Sequence, residues 1–150
     1  MKLGIALPVA LLAGLGVLAG PGVLWAQSTF TNRVLELDGG YVELPPDIFN
    51  DLDEATIEAW VRWDDFQGQF KRVFTYGDAR QDLSIGTLPD STTLWFVMCD
   101  AQRQLHDVTV PGFSKARQWC HVAAVSGSGG MRLYADGALL GTNNHIGSFS

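Results

Sequence analysis

Apolar and polar residues alternate with a period of two along most of the chain beyond residue 30. The clearest case is the segment 55–63. Its alternate apolar positions are Ile57, Ala59, Val61 and Trp63, and the positions between them are Thr56, Glu58, Trp60 and Arg62. Because successive side chains of a strand point to opposite faces of a sheet, this pattern predicts a half-buried β-strand.

The same pattern predicts further short strands at even spacing. They span residues 33–37, 41–44, 72–76, 83–88, 93–98, 105–110, 119–126, 131–135 and 138–141. Turn residues separate them, and the pair Asp136-Gly137 is the strongest hairpin signal. The glycine-rich segment 127–130 predicts a second hairpin loop, and one helical turn is expected around residues 47–52. The pattern therefore indicates an all-β sandwich or barrel.

The first 26 residues have the features of a secretory signal peptide. Lys2 is followed by an uncharged apolar run, a Gly/Pro break at residues 20–22 and a small residue, Ala26. The alternative is an uncleaved membrane anchor, although its glycines would make a poor spanning helix. Either case predicts that residues 27–150 form one domain outside the cytoplasm, secreted, periplasmic or at the cell surface, and only the uncleaved form would contact a membrane.

Charge and cysteine content narrow the classes of function. The chain carries a net charge of −6, which becomes −7 without Lys2, the leader's only charged residue. An acidic surface repels phosphate backbones, so we expect no nucleic-acid partner. The two cysteines, Cys99 and Cys120, are too few for a disulfide-built miniprotein. Oxidising conditions outside the cytoplasm nevertheless allow the hypothesis that they form a disulfide; two separate thiols are the alternative.

Motifs for catalysis are missing from the sequence. The three histidines lie far apart and none belongs to an HExxH segment, and there is no GxSxG sequence. Cys120 and His121 are adjacent on a predicted strand, so their side chains should diverge. Glu36 and Asp38 share a strand face, but the glycines at 39 and 40 break the strand where glycoside hydrolases need a further acid. We therefore expect no enzymatic activity.

Four segments in order resemble the laminin G-like and pentraxin-like jelly-roll family. They are LDGGYVEL at 37–44, ATIEAWV at 55–61, WCHVAAV at 119–125 and LYADG at 133–137. The resemblance covers roughly residues 33–142 and implies a two-sheet antiparallel, concanavalin A-like jelly roll. The family pattern also has closing strands after the Asp136-Gly137 hairpin that do not follow here, so the resemblance predicts a C-terminally truncated domain.

The resemblance further implies a module that recognises carbohydrate or protein, often with calcium. Fold alone does not fix function, so two alternatives stay open: an accessory domain of a larger secreted glycoside hydrolase or sensor protein, and a structural or adhesive domain. Asp38 and Asp82 are the candidate calcium ligands, although Leu83 stands where pentraxins have an asparagine that binds the metal. The family's partner for a cysteine at position 120 lies near Ala59, which leaves Cys120 a thiol or paired with Cys99.

Aromatic residues on the predicted strands are candidate ligand contacts. Trp63, Tyr76 and Trp95 are expected to stack on sugar rings, with burial in the core as the alternative for aromatic residues on strands.

Overall fold

The computed structural model describes residues 2–4, 33–78 and 82–147, and these contain strands and turns without a helix. The ten strands are β1 (Lys2–Gly4), β2 (Leu35–Glu36), β3 (Ala55–Arg62), β4 (Lys71–Gly77), β5 (Asp82–Thr87), β6 (Leu94–Cys99), β7 (Leu105–Val110), β8 (Trp119–Ser126), β9 (Met131–Ala135) and β10 (Ala138–Asn143). They form a six-stranded sheet in the order β10-β9-β8-β3-β1-β2 and a four-stranded sheet in the order β4-β5-β6-β7.

Every strand pair in both sheets is antiparallel, as expected of a jelly-roll sandwich. The predicted fold class is therefore confirmed. Apart from β1, which pairs with β2 and β3, the predicted leader at residues 1–26 lies outside the described residues. Cleavage of this leader and the expected C-terminal truncation stay predictions.

The core lies between the two sheets and follows from the period of two. The larger sheet contributes Val61, Val122 and Leu133, and the smaller sheet contributes Ile85 and Phe96; all five are almost fully buried. Each such side chain contributes about 1.5–3 kcal/mol when it leaves water. Alternate positions on β3, such as Trp60, point outward and are partly exposed, whereas the outward Ser84 and Val97 of the smaller sheet are buried as well.

Both predicted hairpins are confirmed. The backbone of Asp136 and Gly137 has φ angles of 47° and 79°, which fit a tight turn between β9 and β10. In the loop between β8 and β9, the Gly130 N–H donates to the Gly127 carbonyl at 2.9 Å. The Ser128 N–H also donates to the Glu54 carboxylate at 2.8 Å, which ties this loop to the start of β3.

Two segments before β3 differ from expectation. The predicted strand 41–44 is irregular, and Tyr41 is 83% exposed. No described strand pairs with it, and a strand needs a partner for its N–H and C=O groups. Residues 47–52 form successive tight turns instead of a helical turn, with the Asn50 N–H donating to the Asp47 carbonyl at 3.1 Å. These turns bury Phe49 against the ring of Tyr76.

Candidate ligand-binding face

The outer face of the six-stranded sheet exposes several aromatic rings. Trp60 on β3 is 43% exposed and Trp119 on β8 is 39% exposed, whereas large aromatic residues on a folded surface are usually more covered. His121 on β8 and Tyr134 on β9 lie on the same side of the sheet and are half-buried. We call Trp60, Trp119, His121 and Tyr134 the aromatic face.

Strand register brings these rings together. Trp60 lies directly opposite His121, and Arg62 lies opposite Trp119. The ring centroids of Trp60 and His121 are 5.4 Å apart, with planes inclined by 49°. Trp119 is the diagonal neighbour of Trp60, and such neighbours lie about 7–8 Å apart, within reach of large side chains. The two indoles therefore belong to one continuous surface.

Polar groups surround the rings. The His121 Nε2 lies 3.5 Å from a carboxylate oxygen of Glu58, and an Arg62 Nη lies 3.6 Å from the Asp64 carboxylate. At the edge toward β9, the Asp136 carboxylate accepts the His121 backbone N–H at 2.9 Å. The face thus combines apolar ring surfaces with donors and acceptors for hydrogen bonds.

The aromatic residues expected to bind ligand lie elsewhere. Trp63 is 1% exposed and packs in the core, where its ring centroid is 5.9 Å from that of Phe66. Stacking on a sugar would require the Trp63 ring to leave the core. Its position therefore matches the alternative interpretation, which was burial in the core. Tyr76 is half-buried on the core side of β4, with its ring centroid 4.7 Å from that of Phe49.

Trp95 occupies a different surface from the aromatic face. Its neighbours Leu94 and Phe96 are buried in the core, so Trp95 points to the outer side of the smaller sheet. Its ring lies 5.3 Å from that of Phe70, and the Arg72 guanidinium lies over Phe70 at 5.1 Å. The ligand roles of Trp63, Tyr76 and Trp95 stay predictions, and the structure does not bring the three together.

Trp60 and Trp119 were missed as candidates, although the sequence carried the signal. Trp60 stands at one of the outward positions of the alternation in 55–63, among Thr56, Glu58 and Arg62. A large apolar ring on an otherwise polar face is exposed, and two such rings on neighbouring strands form the kind of apolar patch that marks an interaction site.

The candidate calcium ligands, Asp38 and Asp82, stay predictions. Asp38 is exposed at a bend beside Gly39, and the Asp82 carboxylate accepts the Ser84 hydroxyl at 3.0 Å. In the described part of the chain, no three His, Cys, Asp or Glu side chains are grouped to hold a metal. The calcium prediction implies that calcium raises the melting temperature above that in chelator, and identical melting curves would end it.

An open cleft of about 450 Å³ lies where the loops after β3, β5 and β7 meet. The carboxylates that line the cleft bind groups of the loops themselves. Asp65 accepts the Gln67 N–H at 2.9 Å and lies 3.2 Å from the Lys71 ammonium, and these bonds lower its pKa. Asp90 accepts the Gly68 N–H at 2.8 Å. The cleft is therefore a junction of loops whose carboxylates hold the loops together through hydrogen bonds and an ion pair.

The hypothesis of a Cys99–Cys120 disulfide is wrong. Neither cysteine is in a disulfide, and they lie on different sheets. Met98, next to Cys99, has its sulfur 3.2 Å from the hydroxyl of Ser126, at the far end of β8 from Cys120. The six residue steps of β8 from Cys120 to Ser126 span about 20 Å, whereas the Cα atoms of two bridged cysteines lie within about 7 Å.

Burial raises the pKa of the Cys120 thiol to about 11, with a smaller contribution from the charge of Asp136.

Comparison with known families agrees with this architecture. A family model described as the concanavalin A-like lectin/glucanases superfamily matches residues 37–150. The chain belongs to this superfamily. Comparisons with curated proteins and with solved structures found no match. The laminin G-like resemblance is thereby confirmed, and membership of the superfamily indicates a ligand-binding or accessory module.

A search of the described residues finds no helix long and apolar enough to cross a membrane.

Proposed function

We propose that this domain binds carbohydrate through the aromatic face and does not catalyse its breakdown. The observation that carries the proposal is the pair of exposed indoles, Trp60 and Trp119, on adjacent strands of one sheet. Sugar rings have apolar C–H faces that stack on indoles, and hydroxyl rims that need donors and acceptors. Both requirements are met on this face, the second by Glu58, Arg62 and His121.

Rigidity supports the proposal. Trp60 and Trp119 stand on β3 and β8, which pair over eight residues from Ala55↔Ser126 to Arg62↔Trp119. The opposite side of these strands is anchored in the core by Val61 and Val122. Because the strands are already ordered, a ligand loses little affinity to the entropy of fixing the rings.

A binding role also fits the chemistry of the carboxylates on this face. Hydrolysis of a glycosidic bond requires two carboxyl groups placed on either side of it, one of them with a raised pKa. Glu58 is largely exposed and lies beside the His121 imidazole, and Asp136 is bonded to the backbone of β8. Neither carboxylate lies in an apolar pocket of the kind that holds the general acid of a glycosidase.

The predicted location of the domain supports a carbohydrate ligand. A leader at residues 1–26 would place the domain outside the cytoplasm, where polysaccharides occur. A binding module of this kind serves a larger secreted protein by holding it on a polymer, which is the accessory role left open above.

Affinity electrophoresis of the full chain through gels containing soluble polysaccharides tests the proposal. The panel comprises a β-1,3-glucan, a mixed-linkage β-glucan, a xylan and a galactan. We expect retardation by at least one of them. Replacing Trp60 or Trp119 with Ala should weaken binding about fivefold to 150-fold, if a sugar ring stacked on an indole contributes the roughly 1–3 kcal/mol of a stacked nucleic-acid base.

Trp95→Ala is the matched control, because it removes a half-buried indole from the other sheet. It should leave retardation unchanged. Retardation that survives the loss of both Trp60 and Trp119 would refute the proposal. Loss of retardation in Trp95→Ala alone would move the site to the smaller sheet.

A further inference from the structure

A second cluster, with no residue in common with the aromatic face, joins the two sheets. Asp100 follows β6, His106 lies on β7 of the smaller sheet, and His145 follows β10 of the larger sheet. The imidazoles of His106 and His145 are stacked, with centroids 3.5 Å apart and planes inclined by 2°. The Asp100 carboxylate lies 2.9 Å from the His106 Nε2. We call these three residues the histidine latch.

We propose that the histidine latch is an acid-sensitive clasp that holds residues 144–147 across the open side of the sandwich and releases them when both imidazoles are protonated. Two flat rings stack well when at most one is charged. Two imidazolium ions in face-to-face contact repel each other.

Asp100 is built to keep its charge and to orient His106. Its carboxylate accepts the Gln102 N–H at 2.9 Å and the Gln104 N–H at 2.8 Å, besides its contact with His106. These bonds, that to His106 above all, hold the pKa of Asp100 below its ordinary value. The contact with the Asp100 carboxylate fixes the orientation of the His106 ring beneath the ring of His145.

His145 is the ring that resists protonation. Burial lowers its pKa below the ordinary 6.5, the charge of His106 lowers it further, and Asp100 opposes both effects. The remaining carboxylate on β7, that of Asp107, is bonded to the Thr109 hydroxyl. Because the closed state favours neutral His145, its stability is complete above about pH 6.5 and falls as the pH drops toward the lowered pKa.

The segment that His145 holds covers apolar surface. The Asn143 side-chain amide donates to the Asp107 carbonyl and accepts the His145 N–H, both at 2.9 Å. The Ser126 hydroxyl donates to the Gly147 carbonyl at 3.3 Å. A Cβ on Gly147 would lie 2.3 Å from the Met98 side chain, so the backbone lies directly on that residue. Release of His145 would uncover Met98 and the edge of the core.

NMR of the full chain between pH 8 and pH 5 tests this inference. The signals to follow are the imidazole C2–H of His106 and His145 and the backbone amide of Gly147. We expect His145 to titrate below 6.5 and the Gly147 signal to shift with the same midpoint. The proposal would be overturned if the Gly147 signal did not change with the titration of His145, or if His145 titrated at its ordinary pKa of 6.5.

Variants separate the latch from general acid sensitivity. His145→Phe keeps a flat ring for stacking but cannot be protonated, so hydrogen exchange of residues 144–147, corrected for its intrinsic pH dependence, should become insensitive to acid. The wild type should exchange at least fivefold faster at pH 5.5 than at pH 7.5. His121→Gln, on the outer face of the larger sheet, is the control for this readout alone: hydrogen exchange of residues 144–147 should keep the acid sensitivity of the wild type. Equal acid sensitivity in His145→Phe and the wild type would refute the latch.

Discussion

Two leucines on the hairpin of β9 and β10 give a matched test of the sandwich core. Leu133 on β9 is fully buried between the sheets, whereas Leu139 on β10 is 53% exposed. Replacing Leu133 with Ala removes about 1.5–3 kcal/mol of transfer free energy and leaves a cavity, so the total loss should be about 2–5 kcal/mol. Leu139→Ala should change the free energy of unfolding by less than about 0.5 kcal/mol.

Urea unfolding followed by tryptophan fluorescence measures both variants. A loss of this size is a large part of the 5–15 kcal/mol that stabilises a typical domain, so the Leu133→Ala midpoint should fall sharply with little change in slope. Trimethylamine N-oxide in all samples keeps the weaker variant folded at the start of the titration. Equal losses in the two variants, or a larger loss in Leu139→Ala, would refute the assignment of these faces.

Three further outcomes follow from the structure. Cys120 should react with iodoacetamide at pH 8 about a hundredfold more slowly in the folded chain than in urea, because its raised pKa depletes the thiolate; equal rates would contradict its burial. Gly86→Ala should destabilise the domain by about 1–3 kcal/mol in urea melts, because a Cβ there meets the Lys71 carbonyl oxygen at 2.4 Å. Gly40→Ala, whose Cβ meets nothing within 4 Å, should be neutral in the same melts; similar losses in both glycine variants would contradict the close approach of β4 and β5.

Much of the fold could be predicted because local sequence and tertiary packing agree. The alternation in 55–63 places Val61 inside and Trp60 outside, and Asp136-Gly137 takes the backbone angles that its residue types favour. The prediction of a strand at residues 41–44 failed because local sequence and tertiary packing disagree there. Its residues suit a strand, but a strand exists only beside a partner, and partners are decided by the whole topology.

Most of the candidate site could not be predicted from the sequence. Alternation shows that a residue faces outward, but not which outward residues become neighbours. Trp60 meets His121 and Trp119 only because β3 pairs with β8 in one register. The stack of His106 on His145 joins residues from different sheets, which no periodicity reveals. The cysteine pairing failed in the same way, since residue types cannot place two strands on opposite sheets.

The most direct test of carbohydrate binding by the aromatic face uses the five tryptophans as reporters. Each indole N–H gives one NMR signal, assigned by single replacement, and the chain is titrated with the polysaccharide that retards it most. The indole signals of Trp60 and Trp119 should shift together and saturate, while the signal of the buried Trp63 stays fixed. Shifts confined to Trp95, or no shift in Trp60 and Trp119 under saturating ligand, would contradict the assignment of the binding face.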